Sequence, residues 1–88
     1  MGDYMVYYRI RDLREDADLS QREMARLLNC SQQVYSNYEL GQRDIPTEIL
    51  IRLAQIHHTT TDYILGLTNR PEIPYQSKSD PLISEEDV

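Results

Sequence analysis

The sequence predicts an all-α fold: a compact bundle of five short helices followed by an extended or disordered tail. Three observations carry this. Apolar residues recur at helical spacing around Ile10, Leu28 and Leu53. Residues that start and stop helices bound those stretches: Ser20, Ser31 and Thr60 or Thr61 on one side, Asn29, Gly41 and Gly66 on the other. From Asn69 onward the texture changes to Pro, Ser and acid with few apolar residues.

The first helix is expected from about Tyr4 or Val6 to Asp16 or Ala17, with Val6, Ile10, Leu13 and Ala17 as its core stripe and Tyr7 and Tyr8 extending or capping that core. Ser20 followed three residues later by Glu23 has the form of a capping box, which opens the second helix at Gln21 and lets it run to about Leu28. Met24, Ala25, Leu27 and Leu28 form its buried face. Ala25 matters because two helices that cross steeply after a short turn need a small side chain where their backbones come closest. Asn29 tolerates the left-handed conformation of a tight helix exit. Ser31 caps a third helix through Leu40, and Gly41 ends it. Tyr35 and Tyr38, three apart, point inward; Gln32, Gln33, Ser36 and Asn37 share the other side. Solvated helix faces normally carry Glu, Lys and Arg, whereas Gln and Asn can pair bidentately with adenine in the major groove.

A loop at 42–46 leads into a fourth helix at about Thr47, with Ile45 tucked beneath it and Ile49, Leu50, Leu53, Ala54 and Ile56 closing the bundle. Arg43 stands beside the end of the third helix, where a side chain would reach the backbone of any DNA met by that helix's amide face, unless it is simply solvated. His57 and His58 end the fourth helix, favourably placed for the negative end of its dipole. Two adjacent histidines cannot face one metal from a helix, so no metal site is assigned. Thr60 or Thr61 caps a last short helix, in which Asp62 suits the first turn and Tyr63, Ile64 and Leu65 pack before Gly66. In the tail, Ile73, Tyr75, Leu82 and Ile83 suffice for an arm that docks on a partner subunit; the alternative is a mobile tail.

The stretch at 21–41, QREMARLLNCSQQVYSNYELG, with IRDLRED before it and YSNYELGQRDIP, LIRLA and TTDYILG following, resembles the helix-turn-helix of the phage-repressor and Cro-like, or xenobiotic-response-element-like, regulators. The resemblance covers roughly residues 6–67. It implies a lambda-repressor-like bundle whose second and third helices read DNA, with residues 1–5 an N-terminal extension, 6–68 the DNA-binding domain and 69–88 an acidic tail. It also implies an ion pair between Arg14 and Glu39 that fixes the third helix against the first; otherwise both are solvated surface charges. Gln32 and Gln33 match the positions that read base edges, with Asn37 one turn further in. Val34 meets a thymine methyl and Ser36 a base or the backbone. Gln21 matches a position that contacts phosphate and braces the start of the third helix; Ser31, Gln42 and Arg43 complete the phosphate set. Tyr63, Leu65 and Leu67 are dimer contacts in the resembled pattern, or else complete the monomer's core. Two departures stand out: Asn29 replaces the glycine often seen in the turn, and the central tyrosines are larger than the usual aliphatics.

Charge runs against a nucleic-acid binder, since 88 residues carry a formal net charge of -6 and a pI near 4.7. From Pro71 onward five acids face Lys78 alone, which leaves a net of -2 for the residues before it. The electrostatic contribution to DNA binding is therefore expected to be weak, with affinity resting on dimerisation and base contacts. A single cysteine excludes an internal disulfide or a zinc-finger ligand set, and Cys30 at the turn reads as a packed thiol rather than a redox sensor. Without an apolar run of membrane-span length or a signal-peptide pattern, a soluble cytoplasmic protein is expected, nucleoid-associated when bound. No nucleophile-base pattern or Gly-rich phosphate loop is visible, so neither an enzyme nor a cofactor is expected. The expected function is sequence-specific regulation of transcription, as a repressor, by a homodimer on double-stranded DNA. Its third helices would enter successive major grooves about 34 Å apart. The alternative is an antitoxin or partner-regulated interaction module whose acidic surface serves a protein partner. A DNA mimic is disfavoured because the acids are interspersed with arginines.

Overall fold

The computed structural model describes residues 4–74, in which the elements are α1 (Tyr8–Asp16), α2 (Gln21–Leu28), α3 (Gln32–Leu40), α4 (Thr47–Ile56) and α5 (Thr61–Leu65), with no strand among the described residues. One side chain from each helix is sealed at the centre: Ile10, Met24, Tyr35, Leu53 and Ile64 are all below 2% exposed. Around them pack Ala25, Leu28, Tyr38 and Ala54, with Leu13, Leu19, Cys30, Val34, Ile45, Ile49, Leu50 and Ile56 partly buried at the edges. So small a core leaves each helix dependent on its neighbours, because none is long enough to be stable alone.

All five helices stop by the same device. The residue immediately before a closing amide turns left-handed, at Asp18 (φ 59°), Asn29 (60°), Gly41 (73°), His58 (54°) and Gly66 (83°). Each closing amide then bonds the carbonyl five residues back, from Leu19 to Arg14, Cys30 to Ala25, Gln42 to Asn37, Thr59 to Ala54 and Leu67 to Asp62, at 2.8–3.1 Å. This six-to-one bond is that of the Schellman motif, which satisfies carbonyls a helix end would otherwise orphan. Three of the helices begin with a side-chain cap: Ser20 in a full capping box with Glu23, Ser31 accepting from the Val34 amide, and Thr60 accepting from the Tyr63 amide.

Three sequence expectations are corrected here. α1 opens at Tyr8 rather than at Tyr4 or Val6, with Tyr7 extended (φ -100°) at its cap and no side-chain cap. The residues before it instead lie against the end of α3, where the Tyr4 amide bonds the Gly41 carbonyl at 3.2 Å and Val6 packs so closely that a Cβ on Gly41 would sit 2.7 Å from its Cγ2. Ala17 and Leu27 are exposed rather than buried, Ala17 because α1 has already ended at Asp16 and the chain is turning away. Leu27 is 46% exposed, on the flank of the face formed by Met24, Ala25 and Leu28, and its carbonyl accepts from Arg52. His57 stands at the C-cap of α4, where the sequence places it. Burial, then the neighbouring His58, lowers the His57 pKa, which favours the neutral ring, and its Nε2 is buried without a partner among the described residues.

After α5 the chain folds back along the bundle. Arg9 of α1 donates to the carbonyls of Tyr63 (2.7 Å) and Thr68 (2.5 Å) and to the side-chain oxygen of Asn69 (2.7 Å). Its guanidinium also stacks 4.1 Å over the Tyr63 ring. Thr59, itself buried, donates its hydroxyl to the Pro71 carbonyl at 2.7 Å. The expectations placed on Tyr75, Leu82 and Ile83 lie outside the described residues.

Candidate nucleic-acid interface

Two short helices make the site, and their crossing is set by Ala25, 2% exposed at the α2 and α3 junction. Asn29 in its left-handed conformation supplies the turn, and its amide side chain remains exposed. α3 is amphipathic in an unusual sense: the inner side is Tyr35 and Tyr38, edge to face with ring centroids 6.5 Å apart, plus the carboxylate of Glu39. Gln32 and Gln33 are exposed on the outer side, with Ser36 and Asn37 half-buried at its flanks. Gln33 donates to the Asn37 side-chain oxygen at 3.2 Å, one turn apart, so the two amides hold each other in register. Val34 is half-buried and packs on the core, so only part of it is available to a ligand. Leu40, 56% exposed at the far end of α3, is a further apolar side chain that the sequence reading did not single out.

The remaining sequence-predicted contacts distribute around this face. Ser31 is exposed and its oxygen caps α3; Gln42 and Arg43 are exposed just beyond Gly41. Gln21 is turned differently from the expectation. Its amide donates to Glu39 at 3.0 Å, bracing the last turn of α3 rather than the start.

Glu39 is where α1, α2 and α3 meet. Arg14 donates from Nε to one carboxylate oxygen at 2.7 Å and from a terminal nitrogen to the other at 3.3 Å, a bidentate pair. A third bond from Arg14 reaches the Leu19 carbonyl at 2.8 Å. Burial alone would raise the Glu39 pKa, but the Arg14 hydrogen bond, then the Tyr35 hydroxyl and the Gln21 amide, hold it below the usual carboxylate range. Hydrogen bonding to Glu39 raises the Arg14 pKa in turn, against the effect of burial. The Tyr35 hydroxyl is pushed far above its ordinary value, by burial first and by Glu39 second. Its oxygen lies near the carboxylate without meeting hydrogen-bond geometry. The arrangement is a lock with no reactive group: every charge is matched, and the Cys30 thiol nearby is raised by burial, away from thiolate chemistry.

Cations are scarce but unevenly committed. Arg9, Arg11, Arg14, Arg52 and Arg70 each bond a group of this chain. Arg22, Arg26 and Arg43 are exposed and make no side-chain hydrogen bond or ion pair among the described residues. They are the arginines that bracket α3.

Comparison with known proteins agrees with this geometry. The helix-turn-helix family model matches residues 10–64, from α1 into α5. The chain is similar to the HTH-type transcriptional regulator ImmR of Bacillus subtilis (strain 168), 34% identical over 74 residues, which are 84% of this chain and 56% of that protein. It is also similar to the uncharacterized HTH-type transcriptional regulator YobD of the same organism, 31% identical over 75 residues, 85% of this chain and 67% of that one. It thus spans little more than half the length of ImmR. With the match running through the whole bundle, the chain belongs to the Cro/C1-type helix-turn-helix family of DNA-binding transcriptional regulators.

Proposed function

We propose that this protein is a sequence-specific repressor that binds double-stranded DNA as a homodimer, each protomer laying α3 in the major groove. The observation that carries the reading is the outer face of α3, where Gln32 and Gln33 stand free of the core on a helix whose inner side is locked by Glu39. Exposed amides on a rigid helix suit direct base readout, because each offers a donor and an acceptor in fixed relation. Gln32 and Gln33 read base edges, Asn37 steadies Gln33 and reaches the next base, and Ser36 and the exposed part of Val34 contact the adjoining step. Ser31, Gln42 and Arg43 position the phosphate backbone, while Gln21 holds the lock and contributes to that positioning. Homodimerisation through Tyr63, Leu65 and Leu67 would set the two α3 helices one helical turn apart, about 34 Å.

The test is selection of bound duplexes from a random pool at two salt concentrations. A palindrome with half-sites one turn apart is the expected product. Gln33→Ala should then lose about 1–3 kcal/mol on that operator and relax one base pair, whereas Arg43→Ala should weaken all sequences alike. Folded protein that enriches no duplex would sink the reading in favour of a protein-partner module such as an antitoxin.

A further inference from the structure

We propose that Arg22 and Arg26 together grip one backbone phosphate of the duplex, and thereby aim the start of α3; this rests on the DNA-reading function proposed above. The two arginines lie four residues apart on α2, hence side by side on one face. They line an open cleft of about 530 Å³ whose other walls are Ala25, Asn29, Cys30, Ser31 and Gln32. Gln32 is an expected base reader, so a duplex that presents a base edge to it brings the flanking strand to the mouth of the same cleft.

Two guanidinium groups one turn apart repel each other; exposed Glu23 attracts Arg26 through solvent, but neither arginine makes an ion pair or a side-chain hydrogen bond among the described residues. Elsewhere the arginines have partners: Arg14 in the buried pair with Glu39, Arg9 and Arg52 on backbone carbonyls, and Arg11 and Arg70 in exposed pairs with Glu15 and Glu72. A phosphate oxyanion between Arg22 and Arg26 supplies what the fold withholds, and a planar fork from each side satisfies its oxygens. Asn29 and Ser31 add neutral donors at the cleft wall. The contact carries no sequence information; its effect is to fix register.

The experiment uses the full chain and the operator recovered by selection, with binding followed by fluorescence anisotropy across a potassium chloride series. R22Q/R26Q should weaken operator and scrambled duplex by a similar factor, on the order of tenfold near 0.1 M salt. The slope of log K against log salt should become shallower by about 0.9 per protomer, the counterion released by one phosphate. A second arm replaces single operator phosphates with neutral methylphosphonates. One position per half-site should weaken the wild type and leave R22Q/R26Q indifferent, and R22K/R26K should recover the slope. Both side chains are exposed, so thermal unfolding should be unchanged and R70Q should bind as wild type does. Wild-type slope and affinity in R22Q/R26Q, with Gln33→Ala still impaired, would overturn the phosphate grip alone. So would a loss of operator discrimination at unchanged slope, which is the mark of a base contact. A wild type that binds no duplex would overturn the DNA reading itself.

Discussion

Removing the charge at Glu39 tests whether the lock aims α3. Glu39→Gln keeps the side-chain shape and removes the charge: one of the two Arg14 bonds weakens to a neutral bond to the amide oxygen, the other is replaced by an NH2 group facing the guanidinium, and the bond to the Leu19 carbonyl stays. The two side chains are 12% and 4% exposed, so little water is at hand to replace the carboxylate around the stranded guanidinium. Breaking a buried pair from one side costs about 3–5 kcal/mol; the bonds Arg14 retains, to the Leu19 carbonyl and to the new amide oxygen, place this case near 3. A domain of roughly 70 residues has a total stability of only about 4–10 kcal/mol, so a large fraction disappears. Urea unfolding followed by far-ultraviolet circular dichroism at pH 7 reads this directly. With a slope near 1–1.5 kcal/mol per molar, the midpoint should fall by about 2–3 M. Replacing both partners by methionine should leave stability within about 1 kcal/mol of wild type, because no charge is stranded. Glu39→Gln unfolding within about 0.5 kcal/mol of wild type would refute the reasoning and leave the tyrosine packing as the sole restraint on α3.

Acid should expose the same lock. A carboxyl held below its unfolded pKa contributes stability that is complete above that value and is lost as pH falls through the folded one, so a limb should begin below about pH 4.5 and be absent in Glu39→Gln. His57 adds an earlier limb: its folded pKa lies below 6.5, so the unfolded chain binds the proton first and the melting temperature should drop as pH falls below that point, an effect His57→Leu should remove. Gly41→Ala should cost about 1–3 kcal/mol, since the position needs φ +73° and the new methyl meets Val6 Cγ2 at 2.7 Å and the Tyr4 carbonyl at 3.0 Å. Faster hydrogen exchange at the Tyr4 amide would show that the N-terminal segment has lifted. His58→Gly, at an exposed left-handed position, should stabilise by roughly 0.5–1 kcal/mol and raise the melting temperature by about 2–8 °C. A lower melting temperature would mean that the His58 side chain makes a contact worth more than the strain.

How much of this was readable follows from where each signal resides. The bounds of α2 and α3 were legible because their caps are local: Ser20 with Glu23, Ser31, Asn29 and Gly41 act within a few residues of themselves. The start of α1 was not, because what holds residues 4–7 extended is an amide bond to Gly41, far along the chain. Asp18 and His58 take the same left-handed conformation as the glycines, at a steric cost, yet neither residue type announces it, so two of the five helix stops had no visible marker. Arg9 was missed for a similar reason. Its partners lie 54–60 residues away and two of them are backbone carbonyls, which no side-chain pattern encodes. The amide face of α3 was plain because its composition is wrong for a solvated helix. Arg22 and Arg26 were hidden because arginines on an exposed helix read as ordinary solvation. Their meaning appears only when the other arginines are seen to be occupied.

That uneven commitment also answers the objection of an acidic chain. Net charge governs long-range steering, but the field at a phosphate is set by charges within a Debye length of about 8–10 Å. Eight arginines lie among the described residues, and the three that make no side-chain hydrogen bond or ion pair there stand around α2 and α3. If Arg22 and Arg26 share one phosphate and Arg43 takes another, each protomer neutralises about two, and a dimer should bind with a salt slope of roughly -4. That is shallow for a regulator of this kind, so non-specific DNA should be held weakly while the amide contacts, which salt does not screen, carry discrimination. A protein built this way gives up grip on bulk DNA and keeps preference for its operator. A measured slope near -8 would contradict this, since it would require cations that the fold has already tied to its own carboxylates and carbonyls.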